Sequence, residues 1–232
     1  MTETLTPFYE KEVRCLNCEK SFHTRKVRSR FLRVQKVYPD FYIEYKNPSL
    51  NPYFYEIDVC PACGFAAADT FSPGFPPGTK AVIEQQFQQW NKQDFNKERT
   101  SDEAIRALKL GVLSAVLKKE KHVVIAGLCL RLAWIYRLED REEEEIRFLH
   151  QALNHYQLSY EQADFVSTQM SEMRILYLIG ELARRVGNID EAIRYFSRVI
   201  QHKNKAFEQK LVEMAREQWY IIRSQEETVA SQ

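Results

Sequence analysis

From Thr100 onward the apolar positions recur at the period of a helix. Ala104, Ile105, Leu108, Val112 and Leu113 follow one another at steps that keep them on one face of a 3.6-residue turn. Thr100-Ser101-Asp102-Glu103 immediately before them has the form of a capping box, which satisfies the free N–H groups of a first helical turn. Two later stretches repeat a common pattern. The first carries Cys129, Leu132, Ala133 and Tyr136, a turn at Asp140, then Ile146, Leu149, Ala152 and Leu153. The second carries Leu176, Ile179, Gly180 and Ala183, a turn at Gly187, then Ala192, Ile193, Phe196 and Ile200. Leu132 and Ile179 lie 47 residues apart, as do Ile146 and Ile193, so the two stretches share one register. With flanking helices near 80–118 and 204–223, about seven helices are expected. Ahead of Gly78 the pattern is different. Phe41–Tyr45 and Tyr53–Val59 are rich in aromatic and β-branched residues, and Asn47-Pro48 and Asn51-Pro52 punctuate the gap between them. They predict a hairpin whose second strand enters Cys60, with an earlier strand from Val27 to Val37.

Within each helical unit the spacing resembles the tetratricopeptide repeat. Ala133 and Gly180 fall where one helix of such a pair approaches the other closely, and Gly187-Asn188-Ile189-Asp190-Glu191-Ala192 resembles its turn. That family repeats every 34 residues, so a longer period places extra residues in lengthened helices around Asn154 to Ser171. Glu145 stands where alanine is usual, and the proline at the repeat end is missing. Stacked helix pairs of this kind form a concave groove. Carried over by register, the resemblance marks Leu130, Trp134, Arg137, Arg174, Tyr177, Glu181 and Arg184 as groove positions. An aromatic and several arginines on one surface suit an acidic or carboxylate-bearing peptide, although Trp134 and Tyr177 equally suit ordinary packing. Glu139 to Glu145 places acidic residues at the positive end of the following helix, and Cys129 reads as a small core residue.

Proline placement sharpens the division. Seven of the eight prolines lie between Pro39 and Gly78, and none follows Thr79. Because proline breaks helix interiors, the expected class is α+β. A zinc-ribbon-like β module over 1–78 precedes an all-α, tetratricopeptide-like domain over 79–226, with a disordered tail at 227–232. A net charge of +1 gives no overall attraction to nucleic acid or membrane. The N-terminal residues lack the features of a signal peptide. The longest apolar run, Val123 to Leu130, is far shorter than the ~20 residues that span a bilayer. A soluble, cytoplasmic protein without a membrane partner is expected.

The chemistry concentrates in four of the five cysteines. Cys15-Leu16-Asn17-Cys18 and Cys60-Pro61-Ala62-Cys63-Gly64 are two CxxC turns, and each turn points its sulfurs to one side. Facing one another, they offer four soft ligands at tetrahedral angles, the geometry of one structural Zn2+. Pro61 stiffens the second turn, and Gly64 tolerates its tight backbone. Iron in a rubredoxin-like site would use the same thiolates, but Glu19 replaces the glycine that such a turn carries. A thioredoxin-type pair at Cys60 and Cys63 would need a βαβ setting, and a catalytic zinc would keep one position open. His23 lies five residues past Cys18 and is the one alternative ligand nearby.

Two further surfaces invite a function. Lys20, Arg25, Lys26, Arg28, Arg30, Arg33 and Lys36 follow one another with no acidic residue between them. Interleaved with aromatics, they allow RNA or single-stranded DNA binding, the positives tracking phosphate and the rings stacking on bases. The alternative is a solvated basic strand over a thin aromatic core. No nucleophile–base pair, phosphate loop or HExxH motif is present, and His23, His122, His150, His155 and His202 form no recognisable set. An enzyme with a small-molecule substrate is therefore not expected. A zinc-binding interaction or adaptor protein with a protein or peptide partner is expected instead.

Asn-Pro-Tyr-Phe-Tyr running into Cys-Pro-Ala-Cys-Gly-Phe-Ala, with Trp90-Asn91-Lys92 ahead of Glu98-Arg99-Thr100, resembles a bacterial family catalogued as domain of unknown function 2225. The likeness covers roughly residues 7 to 222 and is most specific from Asn51 to Ala67. It implies a bacterial cytoplasmic protein with zinc-ribbon-like ligands and repeat-like helices. It implies no particular activity.

Overall fold

The computed structural model describes residues 5–230, with side chains up to 225. Three two-stranded antiparallel sheets precede seven α-helices among the described residues. β1 (Phe8–Arg14) pairs with β2 (Ser21–Val27) in unbroken register from Phe8 opposite Val27 to Arg14 opposite Ser21. β3 (Val34–Val37) pairs with β4 (Ile43–Tyr45), and β5 (Asp58–Val59) with β6 (Ala66–Ala67). The expected strand from Val27 to Val37 is broken by a 3-10 turn at Ser29–Phe31.

The hairpin expected between Phe41 and Val59 is also not formed. β4 pairs back onto β3, while Tyr53, Phe54 and Tyr55 lie in a 3-10 turn over Pro52–Tyr55. The cause is local. Pro48 and Pro52 each open such a turn, and the asparagine before each caps it. Asn47 Oδ1 accepts from the Ser49 N–H at 3.1 Å, and Asn51 Oδ1 accepts from the Tyr53 N–H at 3.0 Å. The turn buries three consecutive rings, which a strand would have divided between two faces.

The chain forms two compact units. The first comprises the residues up to Tyr38, then Tyr42–Glu120 and Trp134–Arg141; the second comprises Pro39–Phe41, Lys121–Ala133 and the chain from Glu142 onward. α1 (Thr79–Gln86) and α2 (Ser101–Lys118), which the sequence placed on the helical side of Gly78, thus group with the strands. Two contacts explain this. A Cβ at Gly111 would stand 2.8 Å from Ile57 Cδ1, so α2 passes the segment before β5 at a distance only glycine permits. Ser114 Oγ accepts a bond from the Ala66 N–H at 3.1 Å. The capping box forms: the Glu103 N–H donates to Thr100 Oγ1 and the Thr100 N–H donates to Glu103 Oε2.

Just before α2, Arg99 is buried and ties the first unit together. Its Nε donates to the Phe95 carbonyl, and its Nη1 donates to those of Phe54 and Ile57, each at 2.9 Å. Lys118, wholly buried at the end of α2, donates to Ser72 O, Ser72 Oγ and Glu120 Oε1. Both groups satisfy carbonyls or carboxylates that burial would otherwise leave unpaired.

The second unit is helical. It contains the first part of α3 (His122–Leu138), then α4 (Glu142–Gln162), α5 (Glu172–Arg185), α6 (Ile189–Ile200) and α7 (Gln209–Ala230). α5 packs against α4, α6 and α7 and is buried on nearly every face. Gly180 is the point of closest approach, because a Cβ there would lie 3.0 Å from the Phe196 ring. Some of the extra length expected around Asn154 to Ser171 is helical, since α4 extends to Gln162. Asp140 and Gly187 both take left-handed backbone (φ 54 and 83), as their turns require. Cys129 is buried with no exposed surface, and burial pushes its thiol up to about 12. The tail expected at 227–232 begins inside α7, and its last two residues lie outside the described part. No helix among the described residues is long and apolar enough to cross a membrane.

Replacing Arg99 with methionine strands three buried carbonyls. A loss of about 3 kcal/mol or more in unfolding free energy is expected, read by urea denaturation. Unchanged stability would show that water takes over those bonds.

Candidate metal centre

Each cysteine pair sits at the tip of an antiparallel hairpin. β1 and β2 lead into and out of Cys15–Cys18, while β5 and β6 flank Cys60–Cys63. The two turns have the same internal bonds, 45 positions apart. The Cys15 N–H donates to Lys20 O and the Glu19 N–H to Cys15 O, both at 3.0 Å. In the second turn the Cys60 N–H donates to Phe65 O at 3.0 Å and the Gly64 N–H to Cys60 O at 2.9 Å. The residue after the second cysteine is left-handed in both: φ is 62 at Glu19 and 76 at Gly64. Glu19 therefore adopts without glycine the turn that seemed to call for one, and its carboxylate pairs with Arg14 at 2.6 Å.

The two tips converge. All four Sγ atoms lie within 4.8 Å of one another. Cys15 and Cys63 approach to 3.6 Å, as do Cys18 and Cys60. Among the described residues no other group of three or more His, Cys, Asp or Glu side chains is arranged to hold a metal ion. His23 faces Glu12 across the first hairpin, is exposed, and takes no part.

The surroundings favour a thiolate at Cys63. Backbone N–H groups of Asn17 and Cys18 point at Cys15 Sγ, and those of Ala62 and Cys63 at Cys60 Sγ. Asn17 Nδ2 lies 3.8 Å from Cys63 Sγ. The hydrogen bond from Cys15 pulls Cys63 down to about 5, and the same bond pushes Cys15 far above the usual thiol range. Burial raises Cys60 to about 11. One negative charge thus settles easily in the cluster, and further ionisation needs a cation.

Side chains far along the sequence hold the second knuckle in place. Trp90 Nε1 donates to Pro61 O at 3.3 Å, and its ring covers Gly64 so closely that a Cβ would stand 2.5 Å from Cδ2. Lys26 Nζ bridges Tyr55 O at 2.7 Å and Asp58 Oδ1 at 2.8 Å, tying β2 to the segment that enters Cys60. Lys11 on β1 reaches Asp69 beyond β6 at 3.0 Å. Trp90, Arg99 and Asn17 were not singled out as site residues from sequence. Trp90-Asn91-Lys92 and Glu98-Arg99-Thr100 in the family resemblance, and Asn17 between the first two cysteines, were the signals that pointed toward them.

Of the basic residues considered for nucleic acid, Arg25, Lys26 and Arg28 are half-buried and engaged within the first unit, whereas Arg30 and Arg33 are exposed. Arg25 pairs with Glu98 at 3.2 Å, and Lys26 is held as described. Arg28 and Arg30 lie over the rings of Tyr9 and Phe31, and Arg33 donates to the Arg30 carbonyl. The seven groove positions are not brought together in one unit. Trp134 is buried in the first, against Tyr53 and Tyr42, with Arg137 over the Tyr42 ring. The other five belong to the second. There Leu130, Tyr177 and Glu181 are buried, Arg184 is half-buried and bonded to Glu181, and Arg174 is exposed.

Small antiparallel strands carrying a four-cysteine cluster that could hold a metal ion, followed by seven helices, define a helix-rich α+β protein. The chain belongs to the family described as an uncharacterized protein conserved in bacteria (DUF2225), whose model matches residues 8–222. No curated protein and no solved structure matches it.

The two left-handed turns make a matched test. Gly64→Ala must push its new Cβ into Trp90, and is expected to weaken metal retention by about tenfold or more in chelator competition. Glu19→Gly relieves the strain in the other turn and is expected to leave retention unchanged or improved. Equal effects from both would show that Trp90 does not set the knuckle.

Proposed function

We propose that this chain is a non-catalytic, cytoplasmic interaction protein whose four cysteines bind one structural Zn2+. The observation that carries the zinc assignment is the sulfur geometry. Metal–sulfur bonds of about 2.3 Å at tetrahedral angles require sulfurs about 3.8 Å apart, close to the 3.6 Å of the two closest pairs. Four thiolates fill the coordination sphere and leave no position for substrate or water, so the ion stabilises rather than reacts. Three short two-stranded sheets are too little to stand alone. Zinc supplies folding energy to such modules, on the order of 10 kcal/mol.

The second unit is the interaction element in this scheme. α5 and α6 are joined by a tight turn, and α5 carries Arg174 and Arg185 along one stripe, chemistry suited to a peptide carrying carboxylates. The ion pairs of Arg25 and Lys26 weigh against nucleic-acid binding by the first unit.

Purified protein is expected to carry one zinc per chain. Stripping it with a strong chelator should unfold the first unit, and acidification should release the ion because protons compete for thiolates. A metal content near zero, iron in place of zinc, or a first unit that keeps its dispersed amide spectrum after stripping would contradict the assignment. For the partner class, affinity capture should retain protein after nuclease treatment, and RNA or single-stranded DNA should not bind at low salt. Salt-sensitive nucleic-acid binding without a nuclease-resistant partner would reverse that choice.

A further inference from the structure

Within the second unit three residues from much earlier in the chain, Pro39–Phe41, lie against α5. The helix treats them as it would a bound peptide. Tyr177 OH donates to the Pro39 carbonyl at 3.0 Å. Asp40 has no exposed surface, and its Oδ2 lies 3.5 Å from Arg185 Nε. The Phe41 ring meets Tyr177 at a centroid distance of 5.5 Å, and the Arg174 guanidinium lies over it at 4.2 Å. One carbonyl, one carboxylate and one ring are thus each met by a side chain of α5. Arg174, Tyr177, Glu181 and Arg185 follow at steps of three, four and four, a single stripe of the helix. Glu181 holds Arg185 at 3.0 Å and Arg184 at 2.8 Å, which fixes the cations that face the carboxylate.

The occupant is the tip of the β3–β4 hairpin. The Tyr38 N–H donates to the Tyr42 carbonyl at 2.8 Å and closes the loop, and Phe41 takes its left-handed turn position at φ 67.

We propose that this stripe of α5 is a docking site for a short partner segment in which a carboxylate precedes an aromatic side chain, and that Pro39-Asp40-Phe41 is its built-in competitor. This rests on the interaction role argued above and names the site and the chemistry recognised. A segment tethered in the same chain has a high effective concentration, so a partner must outcompete it. Its apparent affinity is lowered by the fraction of chains in which the stripe is free.

The test uses the full-length, zinc-loaded chain and a fluorescent peptide with the sequence of residues 36–44. Anisotropy titrations compare wild type with Asp40→Asn/Phe41→Ala, in which the competitor is disabled. The peptide is expected to bind the variant about tenfold or more tightly than wild type. Arg174→Glu in the same background should remove that gain, as should Asp-to-Ala and Phe-to-Ala changes in the peptide. Phe41→Gly, which removes the ring contacts while leaving the hairpin turn a residue suited to its left-handed position, serves as an independent release variant. Equal affinity for wild type and both variants, or no binding by a variant that keeps its helical circular dichroism, overturns the proposal. So does wild-type dimerisation that is lost on Phe41→Gly, because the stripe then takes a second copy's segment. If the peptide fails while nuclease-resistant capture still yields a protein, only the site is wrong and the interaction role stands.

Discussion

The first unit brings four sulfur atoms from two distant turns to within 4.8 Å of one another. Sheets of two strands have little cohesion, and neither hairpin could hold its cysteine turn against the other by strand pairing alone. The rest of the unit is arranged to keep that meeting point in register. Lys26 and Lys11 lace the first hairpin to the flanks of the second. Arg99 gathers the carbonyls of the segment entering Cys60, Gly111 lets α2 approach it, and Trp90 seals the second turn from outside. These polar and shape-specific contacts add to an apolar core that includes Ile57, Val59, Phe65, Ile83 and Leu108.

The second unit follows a different rule. α5 is enclosed by neighbouring helices, and its packing turns on a single glycine that lets the Phe196 ring lie against its backbone. Its polar stripe survives in that setting because every buried charge is met: Glu181 by two arginines, Asp40 by Arg185. A segment of its own chain, Pro39–Phe41, lies against that stripe.

Much of this was legible in the sequence where chemistry is local. Two CxxC turns identified the cluster, Thr100 to Glu103 the start of α2, and the small residue at Gly180 the close helix contact. What escaped was decided by neighbours distant in the chain. Tyr53-Phe54-Tyr55 has the composition of a strand, but asparagine-capped prolines wind it into a 3-10 turn. β1 is too charged to announce itself and exists through its pairing with β2. Arg25 and Lys26, which looked free as part of a basic strip, pair with Glu98 and Asp58, partners that periodicity cannot foresee. Phe41 read as the start of a strand, and nothing in Pro39–Phe41 announced its contacts with a helix more than a hundred residues away.

The proposed state of the first unit is one metal ion held by four thiolates and nothing else. X-ray absorption at the zinc edge of the purified protein measures that shell directly. Four sulfur neighbours at about 2.3 Å, with no nitrogen or oxygen in the first shell, is the expected result. A shell with three or fewer sulfurs, or with a light atom completing it, would contradict the account.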